Sequence, residues 1–158
     1  MINQQLTLLT MDKLEIRKAT TDDIPMILEL FAQKDIDNGE VLSIDEANAI
    51  FNKFKLYPNY SLYLAMINYK VVGTFELLIM DNLAHKGSKS GIVEDVVVDL
   101  EHRSKGIGGK MMEYAITICR EFGCYKLTLS SSIHRERAHM FYENLGFKKH
   151  GYSFLIEL

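Results

Sequence analysis

The chain contains no tryptophan, two prolines and two cysteines among 158 residues. Each scarcity excludes something. Cys119 and Cys124 form neither a C-x-x-C redox motif nor a disulfide framework, which argues against a small secreted scaffold held by cross-links. The longest stretch without a formal charge, Leu56–Tyr69, has 14 residues and includes Asn59, Ser61 and Asn68; it is too short and too polar to cross a bilayer. Neither proline lies in a Gly/Ser/Pro-rich linker, so nothing divides the chain. An excess of positive charge is also missing. A net charge of −3 argues against a protein whose main work is gripping nucleic-acid phosphates. The opening M-I-N-Q-Q-L-T-L-L-T has no basic region and no long apolar block, so no secretory signal is expected. A reducing, cytoplasmic setting without membrane or nucleic-acid partners follows.

What remains is the composition of one ordinary globular domain, 47% hydrophobic and 25% charged. Residues 1–11 are weakly patterned and read as a loose extension, with Met11 a second candidate start; the domain is expected over 12–158. Leu14 and Ile16 alternate with charged residues as in a strand. Thr20 or Thr21 before two aspartates opens a helix with the stripe Ile24, Ile27, Leu28 and Phe31. Ser43 and Glu46 form a capping box for a second helix carrying Ala47, Ile50 and Phe54. Residues 61–67 and 70–80 read as a hairpin, 81–91 as a loop and 92–98 as a central strand. A helix over 107–122 capped by Gly123, a strand over 125–131, a short helix over 135–145 ended by Gly146, and a closing strand region over 147–158 complete the pattern. The fold class is mixed α/β around one sheet, partly parallel through right-handed crossovers.

The most distinctive run is V-V-V-D-L-E-H-R-S-K-G-I-G-G-K-M-M, Val96 to Met112. A buried strand enters a turn and then a helix. Glycines there let backbone N–H groups converge, and the helix N-terminus adds positive potential, a design for pyrophosphate. Met111 stands where a Walker A loop needs Ser or Thr and where the dinucleotide fingerprint needs its last glycine, so both motifs fail. Without further context, a glycine-rich turn with incidental basic residues also accounts for the run. Glu94 and Asp95 interrupt the apolar I-V-E-D-V-V-V and must face opposite ways in a regular strand. Buried charge is costly, so each is either a functional carboxylate or a structural one.

The run Arg103-Ser104-Lys105-Gly106-Ile107-Gly108 resembles motif A, [QR]-x-x-G-x-[GA], of the GNAT N-acetyltransferase superfamily. R-E-R-A-H-M-F-Y-E-N-L-G-F, Arg135 to Phe147, resembles its motif B, and the resemblance covers about residues 12–158. V-E-D-V-V-V with G-C-Y-K-L-T-L looks most like the glucosamine-6-phosphate N-acetyltransferases within it. The resemblance implies a single domain with a mixed central sheet, fourth and fifth strands parallel and splayed, and helices on both faces. It implies acetyl-CoA as cosubstrate, its arm along Val96, Val97 and Val98 like an added strand, its pyrophosphate held by Arg103, Ser104, Lys105, Gly106, Ile107, Gly108 and Gly109. It implies Tyr142 as general acid for the departing thiolate, where helical spacing alone would read it as core beside Ala138 and Leu145. Glu94 is the expected proton acceptor, with Asp95 or water as alternatives.

One position departs from the family pattern: Arg135 stands where many members have asparagine, and its guanidinium accepts no hydrogen bond. The expected activity is acetyl transfer to a primary amine of a small molecule, a phosphorylated amino sugar among the candidates. Acetylation of a protein or peptide, and a non-catalytic acyl-CoA-binding module, are the alternatives. Dimers are common in the family, so a homodimer is a further expectation. No metal site is expected: His134 and His139 are five apart with no H-E-x-x-H or neighbouring cysteine.

Overall fold

A computed structural model describes residues 13–158; the expected extension over 1–11 and the Met11 start lie outside them. Among the described residues, five strands and four α-helices, with four short 3-10 turns between them, form the domain: β1 (Glu15–Lys18), α1 (Ile24–Phe31), α2 (Ile44–Phe54), β2 (Tyr60–Ile67), β3 (Lys70–Met80), β4 (Lys89–Val98), α3 (Ile107–Glu121), β5 (Cys124–Leu129) and α4 (Glu136–Asn144). The sheet order is β1-β2-β3-β4-β5, with β1 to β4 paired antiparallel in succession and β5 parallel to β4. The change of direction occurs where α3 carries the chain back over the sheet, as a parallel pair requires.

Local chemistry sets the helix starts. Ser43 Oγ accepts from Glu46 N at 3.3 Å while Glu46 Oε2 accepts from Ser43 N at 3.0 Å, the reciprocal bonds of a capping box. Ahead of α1, Asp23 accepts from Thr20 N at 2.7 Å and from both terminal nitrogens of Arg17 at 2.7 and 2.8 Å. These bonds tie β1 to the first helix.

The two sheet faces have separate cores. Phe75, Leu77 and Val93 pack under Met111, Met112 and Ala115 of α3, flanked by Phe141, Tyr142 and Leu145 of α4. Leu62, Leu64 and Val71 pack under Ile24, Ile27 and Leu30 of α1 and Ala47 of α2. Full burial of such side chains contributes roughly 1.5–3 kcal/mol each, so both faces are well anchored.

Two expectations need correction. The loop expected over 81–91 is shorter, because β4 begins at Lys89 and pairs Ser90 with Met80 and Gly91 with Ile79. Gly91 is a strand residue by close approach: a Cβ there would lie 2.5 Å from Cys119 Sγ and 2.9 Å from Leu127 Cδ1. The closing strand expected over 147–158 is not formed. Tyr152, Phe154, Leu155 and Ile156 are exposed. Their strand-like composition is realised only when a partner strand supplies the ladder.

Candidate active site

The centre of the sheet is irregular. Thr74 pairs with Val97 and Glu76 with Glu94, so Asp95 and Val96 together oppose Phe75. This is a β-bulge, and Asp95 is held at φ 47°, a region that aspartate tolerates better than most residues. The regular alternation expected for Glu94 and Asp95 is therefore absent, and both carboxylates are exposed. The bulge resets the face: Val96 and Val98 pack against the α3 core, whereas Val97 joins the α1/α2 core.

The bulge also marks where two strands part. Pairing of β4 with β5 ends at Val93 and Leu129, yet β4 continues to Val98. Among the described residues, backbone groups from Glu94 to Val98 thus have no strand on the β5 side, and unpaired strand edges are sites for added extended chains.

This unpaired edge runs toward the glycine-rich turn. Ser104 and Gly106 adopt φ 60° and 81°, and Gly106 caps α3 without any side-chain cap bond. Lys110 N bonds back to Gly106 O at 3.1 Å, leaving the amides of Ile107, Gly108 and Gly109 ahead of it without intrahelical acceptors. Ser104, Lys105 and Gly106 are exposed, and Ile107 is buried as the helix's first anchor. Gly108 faces α4: a Cβ there would meet Phe141 Cζ at 3.1 Å and Val98 Cγ2 at 3.7 Å. Gly109 has only Leu145 near its missing Cβ, at 3.9 Å.

Arg103 has bonds within the protein. Its Nε donates to Val98 O at 2.9 Å, and its guanidinium pairs with Asp35 at 2.7 Å. The turn is thereby tied to the α1–α2 loop, a link reinforced where Gln33 Oε1 accepts from Leu100 N at 2.6 Å. Arg135, at the start of α4, adds positive potential that helps hold Asp35 below the usual carboxylate range, after the larger contribution of the Arg103 hydrogen bond.

Tyr142 sits on the inner side of α4, half-buried, in edge contact with Phe141 and Phe147. Burial raises its pKa; Arg135 pulls the other way and Glu94 adds to the rise. The phenol therefore stays protonated at neutral pH and feels the Glu94 charge. Glu94, though exposed, is itself raised, first by partial loss of hydration beside the sheet and then by the Asp95 charge. The structure thus brings Glu94, Tyr142 and Arg135 into one electrostatic neighbourhood at the end of the unpaired edge. Cys119 lies elsewhere, on the buried face of α3, its thiol pushed up to about 12 chiefly by burial.

Sequence reasoning missed Glu76 and Tyr60. Glu76 lies in β3 directly across from Glu94 and accepts a short hydrogen bond from the Tyr60 hydroxyl. The signal was present: Glu76 is the lone charge in V-V-G-T-F-E-L-L-I-M, a run buried on nearly every residue. Asp35 had no comparable signal.

Known proteins resemble the chain in both sequence and shape. A glucosamine 6-phosphate N-acetyltransferase of Trypanosoma brucei brucei is 37% identical over 89 residues, 56% of this chain and 58% of the relative. The chain thus matches little more than half of that relative's length. An aminoalkylphosphonate N-acetyltransferase of Salmonella typhimurium is 29% identical over 143 residues, covering 89% of this chain and 88% of the relative. The solved structure of glucosamine-6-phosphate N-acetyltransferase from Arabidopsis thaliana superposes with a TM-score of 0.80 at 26% identity, covering 92% and 98% of the two chains. The family model for the GNAT acetyltransferases matches residues 24–147, which include the bulged strand, the amide-lined turn and α4; the chain belongs to the GNAT acetyltransferase family.

Proposed function

We propose that the protein is an acetyl-CoA-dependent N-acetyltransferase that moves the acetyl group directly to a primary amine of a small molecule. The observation that carries this reading is the unpaired edge of β4 beyond Val93, which leads into the free amides at the start of α3 with Glu94 and Tyr142 beside it. The edge from Val96 to Val98 fits an extended amide-bearing arm, and the turn from Arg103 to Gly109 fits a pyrophosphate. Acetyl-CoA supplies the activated acetyl thioester. Glu94 accepts the proton that the amine must lose, through water, a role suited by its raised pKa. A backbone N–H of β4 steadies the carbonyl oxygen as the C–N bond forms and the C–S bond breaks. Tyr142 donates its proton to the sulfur and regains one from solvent.

The relatives' names place phosphorylated or phosphonylated amines first among acceptors to assay, a phosphorylated amino sugar ahead of the others. Acetylation of a protein or peptide amine is the alternative acceptor class, and an acyl-CoA-binding module without turnover is the alternative outside catalysis. The reading includes a cytoplasmic setting and a homodimer. For the dimer, the exposed Phe154, Leu155 and Ile156 and the single-sided pairing of β5 supply surfaces a second copy would cover. Sedimentation of the protein with and without residues 151–158 tests it.

Thiol release from acetyl-CoA is the direct test of activity, run with glucosamine 6-phosphate, aminomethylphosphonate, spermidine and phenethylamine. Turnover with at least one supports the reading. CoA binding, read as a rise in melting temperature, without turnover on any of these or on peptide amines would leave the binding module. Lys105→Glu tests the turn, because Lys105 is exposed, whereas a side chain at Gly108 would also displace Phe141. Lower CoA affinity in the folded variant is expected, and unchanged affinity removes Lys105 from the site.

A further inference from the structure

A cavity of about 210 Å³ opens between α1, α2 and the sheet face beneath them. Its walls are apolar, from Leu28, Phe31, Ile50, Phe51 and Phe54, and its floor is the cross-strand pair of Leu62 and Glu76. Its ionisable lining is Asp37, Glu40 and Glu76, with no lysine, arginine or histidine. An apolar chamber whose charged groups are all of one sign selects a ligand of the other sign.

Glu76 is the member built into the sheet. Tyr60 donates to one of its oxygens, and the Tyr60 ring stacks on Phe54 at 4.5 Å, which fixes the phenol. No cationic side chain pairs with Glu76 among the described residues. Its sheet neighbour is another carboxylate, Glu94, on the same face. A half-buried carboxylate with a carboxylate neighbour and no cation is incomplete as a structural feature. It is complete when an ammonium group arrives.

We propose that Glu76 receives the acceptor's ammonium group and decides which end of the acceptor enters. This rests on the acetyltransferase reading above. An amine held at Glu76 lies about one strand spacing, roughly 5 Å, from Glu94, within reach of the proton acceptor through one water. The amine enters first, its carbon skeleton lies against the apolar walls, and any anionic group stays outside the acid-lined chamber. An acceptor whose phosphate is several bonds from its amine can meet that condition. One with phosphonate on the carbon next to the amine brings its charge toward Glu76.

The test compares wild type, Glu76→Gln and Glu76→Asp. Glu76→Gln keeps an acceptor for the Tyr60 hydroxyl but removes the charge. Acceptor KM is expected to rise at least about tenfold in Glu76→Gln, the worth of a charged hydrogen bond, with the KM of acetyl-CoA within about twofold and partial recovery in Glu76→Asp. Glucosamine 6-phosphate is expected to exceed aminomethylphosphonate in kcat/KM, with a ratio that shrinks in Glu76→Gln. An unchanged acceptor KM, an equal rise in both KM values, or an unchanged ratio overturns the proposal. Calorimetric titration of the CoA-saturated proteins with the same amines needs no turnover. Amine binding lost in Glu76→Gln while the wild type shows no turnover supports Glu76 and rejects the enzyme; equal binding, or none in the wild type, rejects Glu76 even in an active enzyme.

Discussion

Two groups of carboxylates, one beside the β1 edge of the sheet and one at its centre, are treated in opposite ways. At the β1–α1 corner, Asp23 is almost fully buried, bonded twice by Arg17 and twice by Thr20, and its pKa falls to about 2, led by the Arg17 hydrogen bonds. At the centre, Glu76 and Glu94 face each other across β3 and β4 with no cationic partner among the described residues, and loss of hydration, deeper at Glu76 than at the exposed Glu94, raises both. The first arrangement satisfies every requirement of a buried charge within the fold. The second leaves a requirement open, and proteins keep such carboxylates where a ligand or proton transfer uses them. Partnering, more than depth, separates the structural acid from the functional one.

The comparison breaks most visibly in turnover. Glu94→Gln is expected to lower kcat by about 10²-fold near neutral pH, the low end for a positioned base, with CoA affinity and melting temperature nearly unchanged. Steady-state rates beside CoA titration check this; rates equal to wild type would pass the role to Asp95 or water. Asp23→Asn is expected to do the reverse. Losing the Arg17 pair should cost about 2–3 kcal/mol in denaturant unfolding, with activity per folded molecule retained.

The pH dependence sharpens the contrast. Asp23 has a folded pKa below its ordinary 3.8, so its stabilisation is present above about pH 4 and is lost as pH falls toward about 2. Glu76 has a folded pKa above its ordinary 4.5, so the native state holds that proton more tightly. Its contribution favours folding at low pH and is lost as pH rises from about 4.5 through the raised value. Glu76→Gln should therefore remove a penalty that grows as pH rises above Glu76's ordinary 4.5, whereas Asp23→Asn should flatten the acid limb. Unfolding curves from pH 2 to 8 on the three proteins test both signs. The smallest expected effect is at the exposed Arg103–Asp35 pair. Asp35→Ala frees the guanidinium for a cofactor phosphate, and the KM for acetyl-CoA should fall about two- to fivefold, the scale of an exposed ion pair.

Much of this was legible in the sequence because local chemistry and periodicity agreed. The capping box at Ser43, the hairpin of β2 and β3, and the turn into α3 each carry a signal within a few residues. What failed depended on distant partners. Gly91 reads as a breaker until Cys119 and Leu127 are seen to leave no room for a Cβ. The apolar residues after Phe147 read as a strand, but composition does not supply a neighbour to pair with. Glu94 and Asp95 were singled out by their charge, while the bulge at Asp95 arises from β3–β4 register, which no single strand encodes. Glu76 gave its signal as a charge in a buried run, and its meaning needed the cavity above it and Glu94 beside it.

If this constellation transfers acetyl groups, the Tyr142 hydroxyl protonates the departing thiolate, and Tyr142→Phe removes that donor. The substitution removes one hydroxyl and keeps the ring contacts with Phe141 and Phe147, and among the described residues no side chain or carbonyl is bonded to that hydroxyl. Thiol release with the best amine acceptor, measured beside CoA titration of both proteins, is expected to show a roughly 10²–10⁴-fold fall in kcat at nearly unchanged CoA affinity. Equal rates in the two proteins would mean that Tyr142 is not the acid of an acetyl transfer at this site.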